Sequence, residues 1–179
     1  MAAWSVIQHD ELATTTSSWS KTGIPTDGTY DHLCLKWSMR TNRSPTKYDE
    51  MGLWLNNDTG SNYSYTLLGA NSATPVSYNG SSLAMAGYFR VPATASLADT
   101  FGSATIWIPN YANSTNYTQM IVSNIWPNNS TTDGEWYLQT HACMWNDTAA
   151  VDEIMVHDAN STYDMVQYSS ITLYGIKGA

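Results

Sequence analysis

The stretch 30–40 reads YDHLCLKWSMR, and it decides the fold class. Apolar side chains recur at every second position, so that Leu33, Leu35, Trp37 and Met39 share one face. A period of two held over these positions is typical of a β-strand that packs one face on a hydrophobic core. No long segment elsewhere keeps the 3.6-residue apolar period of a helix. The sequence therefore predicts an all-β chain.

Similar runs recur along the whole sequence, with turn residues between them. The predicted strands are residues 51–55, 63–67, 83–91, 104–108, 117–126, 135–145, 151–157 and 170–176. The first two flank the stretch NNDTGS, which predicts a hairpin around a longer loop. Residues 128–135 predict a further turn, and residues 93–100 a short turn of helical composition. Short strands at such spacing predict one domain over residues 1–179, either a sandwich or a barrel.

The composition indicates a surface with few charges. The chain has 20 Ser, 22 Thr and 14 Asn, against 7 Lys or Arg and 15 Asp or Glu. Soluble enzymes usually carry interspersed charges, so this composition favours an assembly or recognition protein. The net charge of −8 argues against nucleic acid and against membrane surfaces as partners. No apolar run is long enough to cross a membrane, and residues 1–4 lack a signal pattern, so we expect synthesis in a cytoplasm.

The cysteines and histidines offer no metal or redox motif. Cys34 and Cys143 lie in strand-like runs, and we expect two buried thiols, with a disulfide as the minority alternative. The histidines are far apart and lack the spacing of common metal motifs: His9, His32, His141 and His157. We expect them to be satisfied or exposed, and we expect no cofactor.

Three pairs of adjacent carboxylates are the only candidates for acid–base chemistry: Asp10-Glu11, Asp49-Glu50 and Asp152-Glu153. Neighbours in a strand point to opposite faces, so these pairs do not converge on one substrate. Glycoside hydrolysis needs two carboxyl groups that face each other across a cleft. We therefore expect no enzyme. A sandwich-fold hydrolase is the distant alternative, and it would depend on Asp49, Glu50, Asp152 or Glu153.

The loop 56–62 loosely resembles a calcium loop, because Asn56, Asp58 and Gly60 occupy alternate positions. Calcium sites normally gather several carboxylates, and this loop has one. We interpret it as a turn.

Aromatic residues beside amide-rich loops are the strongest candidates for binding. They are Trp54, Tyr63, Tyr65, Tyr111 and Tyr117. Exposed rings beside Asn and Asp can bind sugar rings or anchor a protein interface. Core packing is the alternative, for about half of them.

Four segments together resemble a known group of proteins. They are YDHLCLKWSMR (30–40), MGLWLNNDTGSNYSY (51–65), FGSATIWIPNYANS (101–114) and SSITLYGIKGA (169–179). Their order is similar to that in small all-β virion proteins of tailed bacteriophages, especially those of aquatic bacteria. The resemblance spans residue 30 to the end and implies a jelly-roll-like β-sandwich without enzymatic activity on the virion. It carries no functional residue over to this chain.

The resemblance suggests a capsid decoration protein that stabilises the head shell. Its expected partners are copies of itself, as a homotrimer, and the major capsid protein or other virion proteins. The alternative is a receptor- or carbohydrate-binding module on the tail or a head fibre, with host surface glycans as partners. Residues 1–29, including Trp4 and Trp19, are least covered by the resemblance and are a possible attachment segment.

Overall fold

The computed structural model describes residues 3–126 and 136–178, and these residues form twelve strands. The strands are β1 (Ala3–Glu11), β2 (Ser18–Lys21), β3 (His32–Met39), β4 (Tyr48–Leu55), β5 (Tyr63–Asn71), β6 (Thr74–Leu83), β7 (Ala86–Pro92), β8 (Gly102–Pro109), β9 (Thr118–Trp126), β10 (Tyr137–Trp145), β11 (Ile154–Asp158) and β12 (Ser170–Lys177). No helix long and apolar enough to cross a membrane occurs among these residues.

The strands form two antiparallel sheets that pack as a sandwich. One sheet has eight strands in the order β1-β12-β3-β8-β9-β10-β5-β6, and the other has four in the order β2-β11-β4-β7. If the pairs β5–β6 and β9–β10 are set aside, the two sheets contain β1-β12-β3-β8 and β2-β11-β4-β7. When these eight strands are renumbered from 1 to 8 in chain order, their orders are 1-8-3-6 and 2-7-4-5. This is the strand order of a jelly roll, with two inserted hairpins that widen one sheet. The prediction of a jelly-roll-like β-sandwich is confirmed.

The core lies between the two sheets, where alternate residues of facing strands meet. From β3 the inward residues are Leu33, Leu35, Trp37 and Met39, as the alternation predicts. From β4 they include Met51, Leu53 and Leu55. Across the core, the rings of Trp37 and Phe89 lie 5.8 Å apart between centroids. Burial of such rings and aliphatic chains is the main favourable term for a fold of this kind.

The predicted hairpin between residues 51–55 and 63–67 is wrong. β4 belongs to the four-stranded sheet and β5 to the eight-stranded sheet, so the loop between them crosses the end of the sandwich. Asn56 and Asn57 have φ values of 52° and 54°, which is the left-handed conformation that Asn tolerates best among larger residues. The Tyr63 hydroxyl then accepts a 3.0 Å hydrogen bond from the Leu55 backbone N–H, which joins the two strands across the core.

Other strand predictions differ from the structure at the sheet edges. The predicted strand 83–91 is two strands, because β6 ends at Leu83 and β7 begins at Ala86. The pattern did not predict β1, β2 or most of β6. β1 and β6 are edge strands exposed along much of their length, so they show no alternation of apolar residues. Residues 93–100 form turns. The predicted turn 128–135 lies outside the described residues.

Candidate functional site

The outward side of the eight-stranded sheet is a broad surface without charge at its centre. The register of the antiparallel pairs places every second residue of β5, β8, β9 and β10 on this side. We call this surface the neutral face. It consists of Ser64, Thr66, Leu68, Ala70, Ser103, Thr105, Trp107, Gln119, Ile121, Ser123, Ile125, Leu138, Thr140, Ala142 and Met144. None of these residues is ionisable, although the chain has a net charge of −8.

The neutral face is ordered in rows that run across the strands. The directly opposed residues are Trp107, Ile121, Ala142 and Thr66 in one row; Thr105, Ser123, Thr140 and Leu68 in the next; and Ser103, Ile125, Leu138 and Ala70 in the third. Two rows that carry large apolar side chains therefore flank a row rich in hydroxyl groups. Opposed side chains of this kind also stabilise the sheet itself.

Large apolar side chains on this face are open to solvent. Leu68 is 64% exposed, Ile121 59%, Leu138 52%, Ile125 41% and Trp107 39%. Single exposed apolar residues are common, but a contiguous group of them marks an interaction surface. Nothing in the described residues covers this group.

Trp4 extends the neutral face toward the edge strand β1. Its ring meets Trp107 edge-on, with centroids 5.3 Å apart, and Tyr174 at 5.6 Å. Cys34 is opposite both Trp107 and Tyr174 and is fully buried on this outward side. Burial raises the pKa of the Cys34 thiol to about 11, so the thiol is protonated. Trp4, which belongs to the possible attachment segment 1–29, is therefore exposed at the edge of the neutral face.

Trp19, the other tryptophan of residues 1–29, belongs to the core. It is buried, and its indole N–H donates a 2.7 Å hydrogen bond to Asp10 Oδ2. The first 29 residues therefore supply both an edge of the neutral face and part of the sandwich interior, through β1 and β2.

The whole outward face is large enough for a stable contact. Strands about 4.8 Å apart, with about seven residues at 3.4 Å each, give eight strands a projected area of roughly 900 Å². A standard protein–protein interface buries about 800 Å² on each partner. The four strands of the neutral face account for about half of this area. The remainder, over β3, β12, β1 and β6, includes the exposed Lys36, whose Nζ lies 5.8 Å from the Trp4 ring centroid.

The five aromatic candidates from the sequence have different environments. Tyr63 and Tyr111 are buried in the core, which agrees with core packing, the alternative given for about half of the five. The Tyr63 hydroxyl bonds to the Leu55 backbone, and the Tyr111 hydroxyl donates to the Pro25 carbonyl oxygen. Burial raises the pKa of Tyr111 to about 12. Tyr117 is 51% exposed and lines a cleft of about 590 Å³ whose wall includes Asn110, Asn113 and Asn116.

Trp54 and Tyr65 are half-buried in two further depressions. The Trp54 ring lies against the His157 ring, with centroids 3.6 Å apart. Tyr65 lies at the edge of the sandwich in a cleft of about 280 Å³, which we call the tyrosine cleft. Its lining is Glu50, Tyr65, Leu67, Tyr78, Tyr88, Arg90 and Gln139. Of these, only Tyr65 and Glu50 were candidates in the sequence, because the lining comes from five strands that belong to two different sheets.

The adjacent carboxylates Asp49 and Glu50 point to opposite sides of β4, as expected. Asp49 is buried and pairs with Arg43 at 3.0 Å. Burial raises the pKa of Asp49, and the nearby Asp158 carboxylate adds to this effect. Glu50 is partly exposed and pairs with Arg90 at 3.3 Å. Each carboxylate thus has its own arginine, and the two do not face a common substrate.

The histidines are dispersed. The described residues contain no group of three or more His, Cys, Asp or Glu that could hold a metal ion. His9 contacts Thr172, and His32 accepts a hydrogen bond from the Asn110 backbone. His141 departs from the expectation of a satisfied or exposed residue, because it is buried and neither ring nitrogen has a hydrogen-bond partner. Burial, and secondarily the charge of Arg90, lowers the pKa of His141 to about 4.

The loop 56–62 and the two cysteines have structural environments. Asp58 Oδ1 accepts from the Gly60 backbone, and Oδ2 accepts from Asn62 Nδ2. These bonds close the turn that the sequence predicted. Cys34 and Cys143 are free buried thiols on β3 and β10. The strands β8 and β9 lie between β3 and β10 and keep the two thiols apart. The expectation of two buried thiols without a disulfide is confirmed.

No protein-family model matches the chain, and no curated protein is significantly similar to it.

Proposed function

We propose that this chain is a structural protein of a bacteriophage virion, and most specifically a decoration protein that binds the capsid through the neutral face. The observation that carries this role is the neutral face itself: a wide, uncovered and uncharged surface on an acidic protein. The order of the four sequence segments and the jelly-roll strand order are consistent with it.

The charge distribution supports an assembly role. Charged residues are depleted in the cores of protein interfaces, because a buried unpaired charge loses its hydration. Hydroxyl groups cost less to desolvate and can form hydrogen bonds in many orientations. An acidic protein therefore packs against neighbours most easily through a face that has no charges, while its carboxylates elsewhere keep the particle soluble.

The proposed partners are copies of this chain, as a homotrimer, and the major capsid protein or other virion proteins. In closed symmetric assemblies each copy makes the same contacts, so every copy would bind the capsid through its own neutral face. The proposed location is the virion, after synthesis in the host cytoplasm. The role is mechanical and not enzymatic, in keeping with the separate arginine partners of Asp49 and Glu50.

The test is the copy number of this chain in purified particles, measured by quantitative mass spectrometry against the major capsid protein. A decoration protein is expected at many copies in a fixed ratio to the capsid protein. A handful of copies would overturn that role and would favour the alternative, a receptor- or carbohydrate-binding module on the tail or a head fibre. Absence from particles would overturn both.

A further inference from the structure

The tyrosine cleft is separate from the neutral face. Tyr78 on β6 is directly opposite Leu67 on β5, and Leu67 is an inward, buried residue. Strand β7 of the smaller sheet packs against β5, β8, β9 and β10. The edge strand β6 therefore extends past the smaller sheet, and its inward side is open to solvent. A partner on the neutral face would leave this cleft accessible.

The aromatic wall of the cleft is held in place by neighbouring residues. Tyr65 meets Tyr88 edge-on, with ring centroids 5.8 Å apart. Tyr65 is opposite Gly80, where an added Cβ would lie 3.0 Å from the Tyr65 ring, so the glycine makes room for it. Tyr78 is 52% exposed at the mouth of the cleft. Tyrosine rings offer an apolar face together with a hydroxyl group that can donate and accept.

The polar wall presents a preorganised donor beside an acceptor. The guanidinium carbon of Arg90 lies 4.3 Å from the ring centroids of both Tyr48 and Tyr137. Its Nε donates to Glu50 Oε1 at 3.3 Å. Neither the terminal nitrogens of Arg90 nor Glu50 Oε2 has a hydrogen-bond partner in the described part of the chain. A side chain fixed in this way loses little conformational entropy when it binds a ligand.

The charges and size of the cleft define the ligand. Arg90 and Glu50 neutralise each other, so neither an anion nor a cation is favoured over an uncharged molecule. A donor next to an acceptor matches neighbouring hydroxyl groups, and the tyrosine rings match the apolar C–H face of a pyranose. The volume of about 280 Å³ exceeds that of several waters at about 30 Å³ each, and it suits one ring. We propose that the tyrosine cleft binds a neutral sugar unit of an oligosaccharide.

The experiment is a titration of the purified full chain with neutral oligosaccharides of glucose, galactose, mannose and N-acetylglucosamine, and with oligogalacturonate as the anionic comparison. Binding is measured by isothermal calorimetry and by saturation-transfer NMR. At least one neutral oligosaccharide is expected to bind, and oligogalacturonate more weakly. Tyr78→Ala is expected to weaken binding about tenfold, because it removes an exposed ring without disturbing the core. Tyr117→Ala, which removes an exposed tyrosine outside the cleft, is the matched control.

Three results would overturn the proposal: no binding of any neutral oligosaccharide, preference for the anionic one, or equal affinity of Tyr78→Ala and the wild type. Arg90→Lys adds a second measurement, because lysine keeps the charge and loses the planar donor group. It is expected to weaken sugar binding, and thermal unfolding of each variant shows whether it is folded. This binding is measured on the isolated protein, so its outcome is independent of the copy number in particles.

Discussion

The indole N–H of Trp145 donates a 2.6 Å hydrogen bond to Asp58 Oδ2. This contact connects β10 of the larger sheet to the loop that crosses between the sheets after β4. Burial raises the pKa of Asp58, but the hydrogen bonds from Trp145, Asn62 and the Gly60 backbone outweigh it and leave the pKa lowered. The ionised form of Asp58 is therefore the one that stabilises the fold.

Asp58→Ala is expected to lower the free energy of unfolding by about 2 kcal/mol, because hydrogen bonds to a charged group each contribute about 1.5–3 kcal/mol and the buried Trp145 N–H loses its acceptor. Urea unfolding followed by tryptophan fluorescence measures the change. Asp152→Ala, at an exposed carboxylate, is the control and is expected to change stability by less than about 0.5 kcal/mol. Equal effects of the two substitutions would contradict a structural role for Asp58.

His141 makes the fold sensitive to acid. Its pKa is about 4 in the folded protein, against 6.5 for an ordinary histidine, because burial opposes the charged form. Between these values the unfolded chain binds a proton that the folded chain excludes, so stability falls as pH decreases from 6.5 to 4. At 1.36 kcal/mol for each pKa unit, the loss is about 3 kcal/mol.

His141→Leu is expected to remove this loss and to raise stability at neutral pH, because the imidazole nitrogens are buried without partners beside Phe89, whose ring centroid lies 5.0 Å away. Urea unfolding at several pH values between 4 and 7 measures both effects. His9→Leu, at an edge strand, is the control. An unchanged pH dependence in His141→Leu would show that other groups cause the acid sensitivity.

Asp49 is expected to change the pH dependence of stability in the direction opposite to that of His141. Burial raises its folded pKa above that of the unfolded chain, so the folded state retains a proton that the unfolded state has released. The corresponding stability is present at low pH and is lost as pH rises through the raised pKa. Asp49→Asn removes this titration. The stability of the wild type relative to Asp49→Asn is therefore expected to fall as pH rises from 4 to 7.

The same unfolding experiments at each pH give this difference. If the wild type instead gained stability relative to Asp49→Asn with rising pH, the 3.0 Å ion pair with Arg43 would outweigh burial and the pKa would be lowered. Asp164→Asn is the control, because Asp164 is more exposed and accepts a hydrogen bond from Asn42 at the surface.

The sequence predicted the sandwich and most of its central strands, because those strands have one buried face. For β9, burial alternates along all nine residues. The edge strands β1, β2 and most of β6 escaped prediction; β6 is exposed along most of its length and carries no such pattern. The local sequence also does not indicate which strands pair with each other. Nothing in residues 51–67 shows that Leu55 and Tyr63 belong to different sheets.

Exposure of single aromatic rings was the least predictable property. Tyr111 and Tyr117 lie in the same loop region after β8, yet Tyr111 is fully buried and Tyr117 half-exposed. The Tyr111 ring belongs to the core, and its hydroxyl donates to the Pro25 carbonyl oxygen, which is distant in the sequence. The tyrosine cleft was unpredictable for the same reason, since Tyr65, Tyr78 and Arg90 meet only after β5, β6 and β7 assemble.

The neutral face gives the most direct test of the proposed attachment. Ile121 and Leu138 are each more than half exposed and lie on neighbouring strands. The double substitution Ile121→Glu and Leu138→Glu places two charges in the middle of the face. If the face docks on the capsid, these charges become buried without partners, and affinity for undecorated heads is expected to fall by at least about 100-fold. Co-sedimentation with purified heads measures it.

Leu97→Glu combined with Tyr168→Glu is the control, because it adds the same charge at two exposed positions outside the neutral face. Both double variants are expected to unfold within about 1 kcal/mol of the wild type, since surface substitutions away from special contacts have small effects. If the Ile121 and Leu138 variant binds heads as well as the wild type does, docking does not use the neutral face. If both lose affinity equally, net charge controls binding. Only a selective loss in the Ile121 and Leu138 variant supports an uncharged interface, because the two variants differ in where the carboxylates lie and not in their number.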